Sequence, residues 1–200
     1  MTALAAALLG YLIGSLPTAN GLARLWGVDL RTSGSGNPGA NNARRVGGLT
    51  LFLVVLVVEA GKGLLAVTVG LTLGGDLGAV SAGVGAAAGN VHNVWYSFRG
   101  GKGLGITLGV LLAAWPTVIP VVLVILAIAA AATRSSGIGA LVTLACLFVA
   151  ALTWEWTGLG TGWGVEDVTT LAVLGVGIPL VLWRRHWADA VARLKARAHL

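Results

Sequence analysis

The sequence predicts an all-α, polytopic integral membrane protein of about seven transmembrane helices, with its N-terminus outside and its C-terminus in the cytoplasm. Three observations predict it. First, 56% of the 200 residues are hydrophobic and only 10% are charged, where a soluble domain carries roughly 25% charged residues. Too little polar surface remains to cover a globule in water. Second, uncharged runs near the ~20 residues that a spanning helix needs recur along the chain. Third, positive charge is segregated. With seven helices, all 13 Lys and Arg fall on one side or in a helix entering from it, as the positive-inside rule requires. Residues 1–200 read as a single transmembrane domain without internal repeats.

Residues 2–23 carry no charge. The first positive charge, Arg24, follows this run, whereas a secretory signal begins with a basic region. The order predicts a first helix running from outside to inside. A polar link follows, then apolar runs over roughly 49–73 and 77–98, the former interrupted by Glu59 and Lys62.

Between Lys102 and Arg134 lie 31 uncharged residues. As one helix they would span about 46 Å at ~1.5 Å per residue, too long for a hydrocarbon core of about 30 Å. A single helix would also carry Arg184, Arg185, Arg193, Lys195 and Arg197 outside. Two short helices turning near Trp115, Pro116 and Pro120 keep them inside. Further runs cover roughly 137–153 and 168–183, and the last continues into a basic amphipathic helix. Tryptophans 26, 95, 183 and 187 near inner ends, and 115, 154, 156 and 163 near outer turns, read as aromatic belts at both interfaces.

The net charge of +6 is accounted for by cytoplasmic loops, so nucleic acid is not expected as a partner. Cys146 stands alone in an apolar run, which excludes a disulfide framework or thiolate metal site.

Three polar segments converge on the inner face. The first, "TSGSGNPGANNARRVGG" (32–48), combines glycines with Ser33, Ser35, Asn37, Asn41 and Asn42 and the cations Arg44 and Arg45. Glycine permits positive φ and close approach to a ligand. Successive N–H groups in such a turn cradle anions, and Arg grips phosphate with paired bonds. A membrane-surface loop touching lipid headgroups would share these features.

The second, "RGGKG" (99–103), lacks the Ser or Thr of a phosphate loop, since Leu104 follows Gly103. It still offers a Lys at a helix start, where the dipole favours anions. The third is the tail "RRHWADAVARLKARAHL". Its basic residues suit anionic lipid, but His186 and Asp189 share a helical face near the other two segments. His92 is a weaker candidate, and His199 is expected to fray. Glu59 and Lys62, three apart in an apolar helix, can pair. Intramembrane charges are candidates for function, though an ion pair that fastens helices fits equally.

These motifs together resemble a known family. "GSLPTANGLARLWGVDLRTSGSGNPGANNARRVGG", "EAGKG" and "FRGGKG" are similar to the membrane-integral bacterial glycerol-3-phosphate acyltransferases that use acyl phosphate (the PlsY type). The likeness is close over 14–63 and 89–109 and looser in the tail. It implies a seven-helix enzyme of the bacterial inner (plasma) membrane with a cytoplasmic active site. The implied reaction moves an acyl group from acyl phosphate to the sn-1 hydroxyl of glycerol 3-phosphate. The products are lysophosphatidic acid and phosphate, in the first step of phospholipid synthesis, with no cofactor or metal and with membrane lipids as surroundings.

The resemblance places the catalytic roles on Ser35, Arg45, Lys102, His186 and Asp189. It places substrate binding on Gly36, Asn37, Gly39, Ala40, Asn42, Gly100 and Gly101. The chain departs from the family pattern at Asn90, where a His is usual, and at Asp189, where an Asn is usual. A catalytically weak relative that binds phosphate-bearing lipids, or a small anion transporter, are the competing classes. A transporter needs polar groups along a path to both faces, whereas here they gather on one.

For Asp189 the sequence offers two arrangements. It orients His186, or Arg185 or Arg193 neutralises it. The second is expected, because the family uses a neutral Asn here.

Overall fold

The computed structural model describes residues 1–198, excluding the side chains of 193, 196, 197 and 198; His199 lies outside the described residues. The chain forms α1 (Thr2–Ser15), α2 (Thr18–Leu25), α3 (Ala40–Val91), α4 (Leu104–Ala114), α5 (Ile119–Thr133), α6 (Ser136–Thr153) and α7 (Leu171–Ala198). Among the described residues five helical stretches, Thr2–Leu25, Ala40–Tyr96, Pro116–Thr133, Ser136–Thr157 and Val168–Ala192, are long and apolar enough to cross a membrane, and α4 is apolar but shorter.

The first run divides. Pro17 has no N–H to extend α1, so α1 stops at Ser15 and α2 restarts at Thr18. Helix α3 has breaks of its own. Gly48 and Gly75 adopt φ of +75° and +58°, and Gly74 is also non-helical. In a straight helix Gly70 and Gly78 would be about 12 Å apart. Here a Cβ on either would overlap the other's carbonyl oxygen. The helix therefore turns back at Gly74–Gly75 into two antiparallel limbs.

Helix α1 packs along the second limb through small residues. A Cβ at Gly10 or Gly14 would run into the backbone of Ala82 or Ala86, and one at Gly85 into that of Ala7. Such surfaces let helix backbones approach closely, which is how packing is gained in lipid. Helix α4 crosses the first limb in the same way, with Gly109 against Ala60 and Gly63 against Ile106.

The long uncharged stretch breaks where expected. Helix α4 ends at Ala114, a 3₁₀ turn covers Pro116–Val118, and α5 begins at Ile119. A second expectation is corrected. Trp115 and Trp154 are not belt residues. They are buried and meet edge to face with ring centroids 4.9 Å apart. The link after α6 folds over them, with Val165 N–H donating to Ala114 O and Trp163 Nε1 to Leu112 O. Trp156, Trp163, Trp26, Trp95, Trp183 and Trp187 are exposed, as a belt requires.

The contacts sort the ends of the elements. Thr2 approaches Gly74, Asp167 N–H donates to Asp76, and the 161–165 link reaches α4 and the turn at Pro116, so these share one end. The opposite end gathers the segments around 15–38, 90–103, 133–137 and 184–190. The first end carries Asp76, Glu155, Glu166 and Asp167 and no Lys or Arg.

Candidate functional site

The first polar segment is organised by Asn42. Its buried side chain donates from Nδ2 to Leu30 O and Ser33 O, both at 2.9 Å, and accepts from Ser35 N–H at 2.8 Å. Gly34 and Gly36 have φ of +62° and +70°, and a Cβ at Gly34 would overlap Asn42 Oδ1. Asn42, expected from the sequence to touch substrate, has its amide bonded within the turn. Its amide is committed to shaping the turn. Asn20 ties the base of the turn by accepting from Leu30 N–H at 2.7 Å. Asp29 accepts from Arg24 Nη2 and Arg31 N–H, and these bonds hold its carboxyl below the usual range.

The segment is also not a loop throughout. Helix α3 begins at Ala40, so Arg44 and Arg45 lie on its first turns. Gly36 N–H and Gly39 N–H donate to Ser33 O and Asn37 O, while Gly39 O caps Asn42 and Ala43. The N–H groups of Ala40 and Asn41 are left at the helix start without an acceptor among the described residues. An anion is favoured there by orphan donors and dipole together. Ser35 and Arg45 are exposed, and Arg45 makes no ion pair among the described residues. Arg44 instead lies over the Phe52 ring, 5.9 Å from its centroid.

In the second segment Gly100 and Gly101 do not offer their amides to a ligand. Gly100 N–H donates to Val91 O and Gly101 N–H to Asn90 O, each at 3.0 Å. The two glycines are needed for close approach. A Cβ at Gly100 would overlap Asn90 O, and one at Gly101 would lie 2.9 Å from Asn90 Oδ1 and 3.4 Å from Pro38 O. The first and second segments thus meet at Pro38 and Gly101. Gly103, at φ +83°, opens α4.

The tail closes on the same point. His186 is 1% exposed and its Nε2 lies 3.1 Å from Lys102 O. A carbonyl only accepts, so in the neutral ring Nε2 carries the proton and Nδ1 the lone pair. Nδ1 has no partner among the described residues. Asp189 Oδ2 pairs with Lys102 Nζ. This corrects the expected partner: Arg185 turns to the carbonyls of Val91 and Phe98 instead, and the Arg193 side chain lies outside the described residues. Helix α6 starts beside the carboxylate. A Cβ at Gly137 would meet Asp189 Cβ at 2.8 Å, so the positive end of α6 adds to Lys102 in favouring the charge.

Beneath these segments lies a buried network. Glu59 and Lys62 pair at 2.9 Å. Glu59 also accepts from Thr18 Oγ1 and Asn90 Nδ2, while Lys62 donates to Gly14 O and Leu16 O. Asn93 Nδ2 donates to Ser15 O. Sequence reasoning missed Thr18, Asn93 and Gly137, and read Asn90 only as a departure; the one signal was Pro17, whose break exposes carbonyls that need donors. A narrow cleft of about 10 Å³ opens between this network, Pro38, Tyr96 and Gly101. A separate apolar groove with a volume of about 70 Å³ runs between α4, α5 and α6 from Leu104 to Leu147.

The fold and this end of the bundle define an integral membrane protein of the all-α class. Its glycine turns and Lys102 lie where three sequence-distant segments meet. The chain belongs to the glycerol-3-phosphate acyltransferase family, whose model, "Glycerol-3-phosphate acyltransferase", matches residues 4–196.

A relative of that description from Rhodopseudomonas palustris (strain BisB5) is 39% identical over 195 residues, covering 96% of this chain and 92% of its own. One from Synechococcus sp. (strain JA-3-3Ab) is 48% identical over 118 residues, and the chain spans 58% of that relative's length. The fold is similar to a crystal structure of PlsY (YgiH), an integral membrane glycerol 3-phosphate acyltransferase, in its glycerol 3-phosphate form. The TM-score is 0.75 at 25% identity, covering 98% of this chain and 94% of that one. The lysophosphatidic acid form aligns with a TM-score of 0.77 at 24% identity.

Proposed function

We propose that this chain transfers a fatty acyl group from acyl phosphate to the sn-1 hydroxyl of glycerol 3-phosphate, releasing lysophosphatidic acid and phosphate. The observation that carries the reading is the meeting of the α3 start at Pro38–Ala40, the Lys102 turn and the His186–Asp189 face at one end of the bundle. Two phosphate-bearing substrates repel each other, and such a cluster of cations and helix-start amides offsets that repulsion. Arg45 and the Ala40 and Asn41 amides hold one phosphate, with the Ser35 hydroxyl, Gly36, Asn37 and Gly39 lining the turn. Lys102 holds the other.

Acyl phosphate is a mixed anhydride, so no protein nucleophile is needed. The substrate hydroxyl attacks the acyl carbon, the carbon–oxygen bond to phosphate breaks, and the leaving phosphate accepts the hydroxyl proton. Lys102 stabilises the charge that grows on that phosphate, a preorganised electrostatic task. His186 donates to the Lys102 carbonyl and fixes the turn from which the lysine reaches. The acyl chain lies in the apolar groove that begins at Leu104, two residues beyond Lys102.

The two limbs of α3 and the short α4 bring the five long helices to seven apolar segments. With the basic end in the cytoplasm, the N-terminus is outside and the C-terminus inside, and the active site faces the cytoplasm from the bacterial inner membrane. The test is purified protein in detergent with acyl phosphate and glycerol 3-phosphate. Release of phosphate together with lysophosphatidic acid is expected, and thiol release from acyl-CoA is not. Folded protein that yields neither product refutes the reading.

A further inference from the structure

The buried Glu59–Lys62 pair takes no part in the chemistry just described, yet its hydrogen bonds lead directly to the Lys102 turn. We infer that Glu59 and Asn90 are positioning residues. They form a brace between the two limbs of α3 that fixes the Gly100–Lys102 turn, an inference that rests on the acyltransferase reading above.

The geometry of Asn90 is decided by Glu59. A carboxylate only accepts hydrogen bonds. With Glu59 Oε2 2.6 Å away, Asn90 must present Nδ2 to it. Its Oδ1 then faces the other way, over Gly101, 2.9 Å from where a Cβ would stand. The main chain of Asn90 and its neighbour Val91 also holds the turn, since Asn90 O accepts Gly101 N–H and Val91 O accepts Gly100 N–H. Lys102 is the next residue. Its carbonyl is held in turn by His186, so the lysine is fixed from both sides.

The other half of Glu59 anchors the brace. Oε1 accepts from Thr18 and pairs with Lys62. Lys62 in turn holds the Gly14 and Leu16 carbonyls at the end of α1. A buried ion pair often adds little stability over well-packed apolar side chains, whereas this one fixes an amide orientation that apolar side chains would leave free. Asn90 is short enough to lie over Gly101 while reaching Glu59.

The experiment reverses the polarity of the brace. Glu59→Gln leaves Lys62 without its counter-charge and permits the Asn90 amide to flip. Asn90→Asp sets two carboxylates against each other. Each single variant is expected to lose at least ~10-fold in kcat/KM for glycerol 3-phosphate per folded molecule, the range for a lost charge-assisted hydrogen bond. The double variant Glu59→Gln/Asn90→Asp restores one donor, one acceptor and the net charge, and is expected to return to within about 3-fold of the parent, because the coupling is between neighbours.

Amide exchange at Gly100 and Gly101, read by mass spectrometry without substrate, should quicken in both singles and slow again in the double. Asn90→Ala keeps the buried ion pair intact and serves where Glu59→Gln fails to accumulate; it should show the same faster exchange and loss of turnover. Lowered melting temperature with unchanged turnover per folded molecule, or a double variant no better than the worse single, overturns the inference. Parent protein that shows the exchange pattern without acyl transfer refutes the acyltransferase reading and leaves the brace standing.

Discussion

Replacing Asp189 with Asn tests the site at its most exposed assumption. Asp189 pairs with Lys102, so a phosphate that reaches the lysine must displace or share it. The side chains are 30% and 35% exposed, which places the pair between a surface bridge, worth about 0–1 kcal/mol, and a buried one. A phosphate ~4 Å from the carboxylate is repelled by about 1 kcal/mol per charge pair in water and about 4 kcal/mol at an effective dielectric near 20. The start of α6 beside Asp189 offsets part of this.

A net gain of roughly 1 kcal/mol on removing the charge corresponds to about a 5-fold fall in KM, at 1.4 kcal/mol per tenfold. Asp189→Asn should therefore bind acyl phosphate, whose phosphate Lys102 holds, several-fold more tightly, with kcat within a few-fold of the parent. The assay is initial-rate phosphate release in detergent, with each substrate varied at saturating levels of the other. A fall in kcat of ~100-fold or more, the lower end for losing a general base, would show the carboxylate working in proton transfer. A rise in the KM for acyl phosphate would show that Asp189 aids binding. Either result refutes the argument.

Other outcomes follow from the same geometry. Lys102→Ala and Arg45→Ala should each cost at least ~10-fold in kcat/KM, since charge-assisted bonds are worth roughly 1.5–3 kcal/mol; folded variants with unchanged turnover would remove these residues from the site. Asn42→Ala removes three hydrogen bonds from the first turn, of which the one to Leu30 O is buried, and should reduce stability by at least about 1–3 kcal/mol, the cost of one unpaired buried group, with a parallel loss of turnover that Asn42→Gln does not fully restore. Gly109→Leu drives a side chain into the Ala60 backbone and should abolish monodisperse protein on size exclusion, because overpacking of this kind costs at least about 1–3 kcal/mol. In intact cells a cysteine placed at Gly160 should react with an impermeant reagent and one placed at Lys195 should not; the reverse would invert the orientation.

The spans, their charge bias and the break before Pro116 were legible because each follows from local composition: a run of apolar residues, a cluster of cations, a proline. The hairpin in α3 was foreshadowed by Gly74, Gly75 and Asp76 between two apolar runs. Trp115 and Trp154 misled because an indole suits an interface and a core equally well. Only the fold of the later link over α4 and α6 decides between them. Asn42 drew attention as a polar group in a glycine-rich stretch, and in the fold its amide bonds its own turn. An asparagine in a glycine-rich stretch can face a ligand or its own backbone, and burial, which the sequence does not display, selects the second.

The two departures from the family pattern show where such reading stops. Asn90 and Asp189 look like losses when each position is judged by itself. In the fold, Asn90 meets Glu59, 31 residues away, and Asp189 meets Lys102, 87 residues away. Neither partner stands at helical spacing from it, so no periodicity could have joined them. The carboxylate at 189 is tolerable only because Lys102 and the first turn of α6 stand beside it, and the amide at 90 is useful only because Glu59 fixes which end it presents. A substitution at such a position changes the meaning of its partner as well. Asp189→Asn frees Lys102, whereas Glu59→Gln unlocks Asn90, so the first variant should bind phosphate better and the second should turn over more slowly.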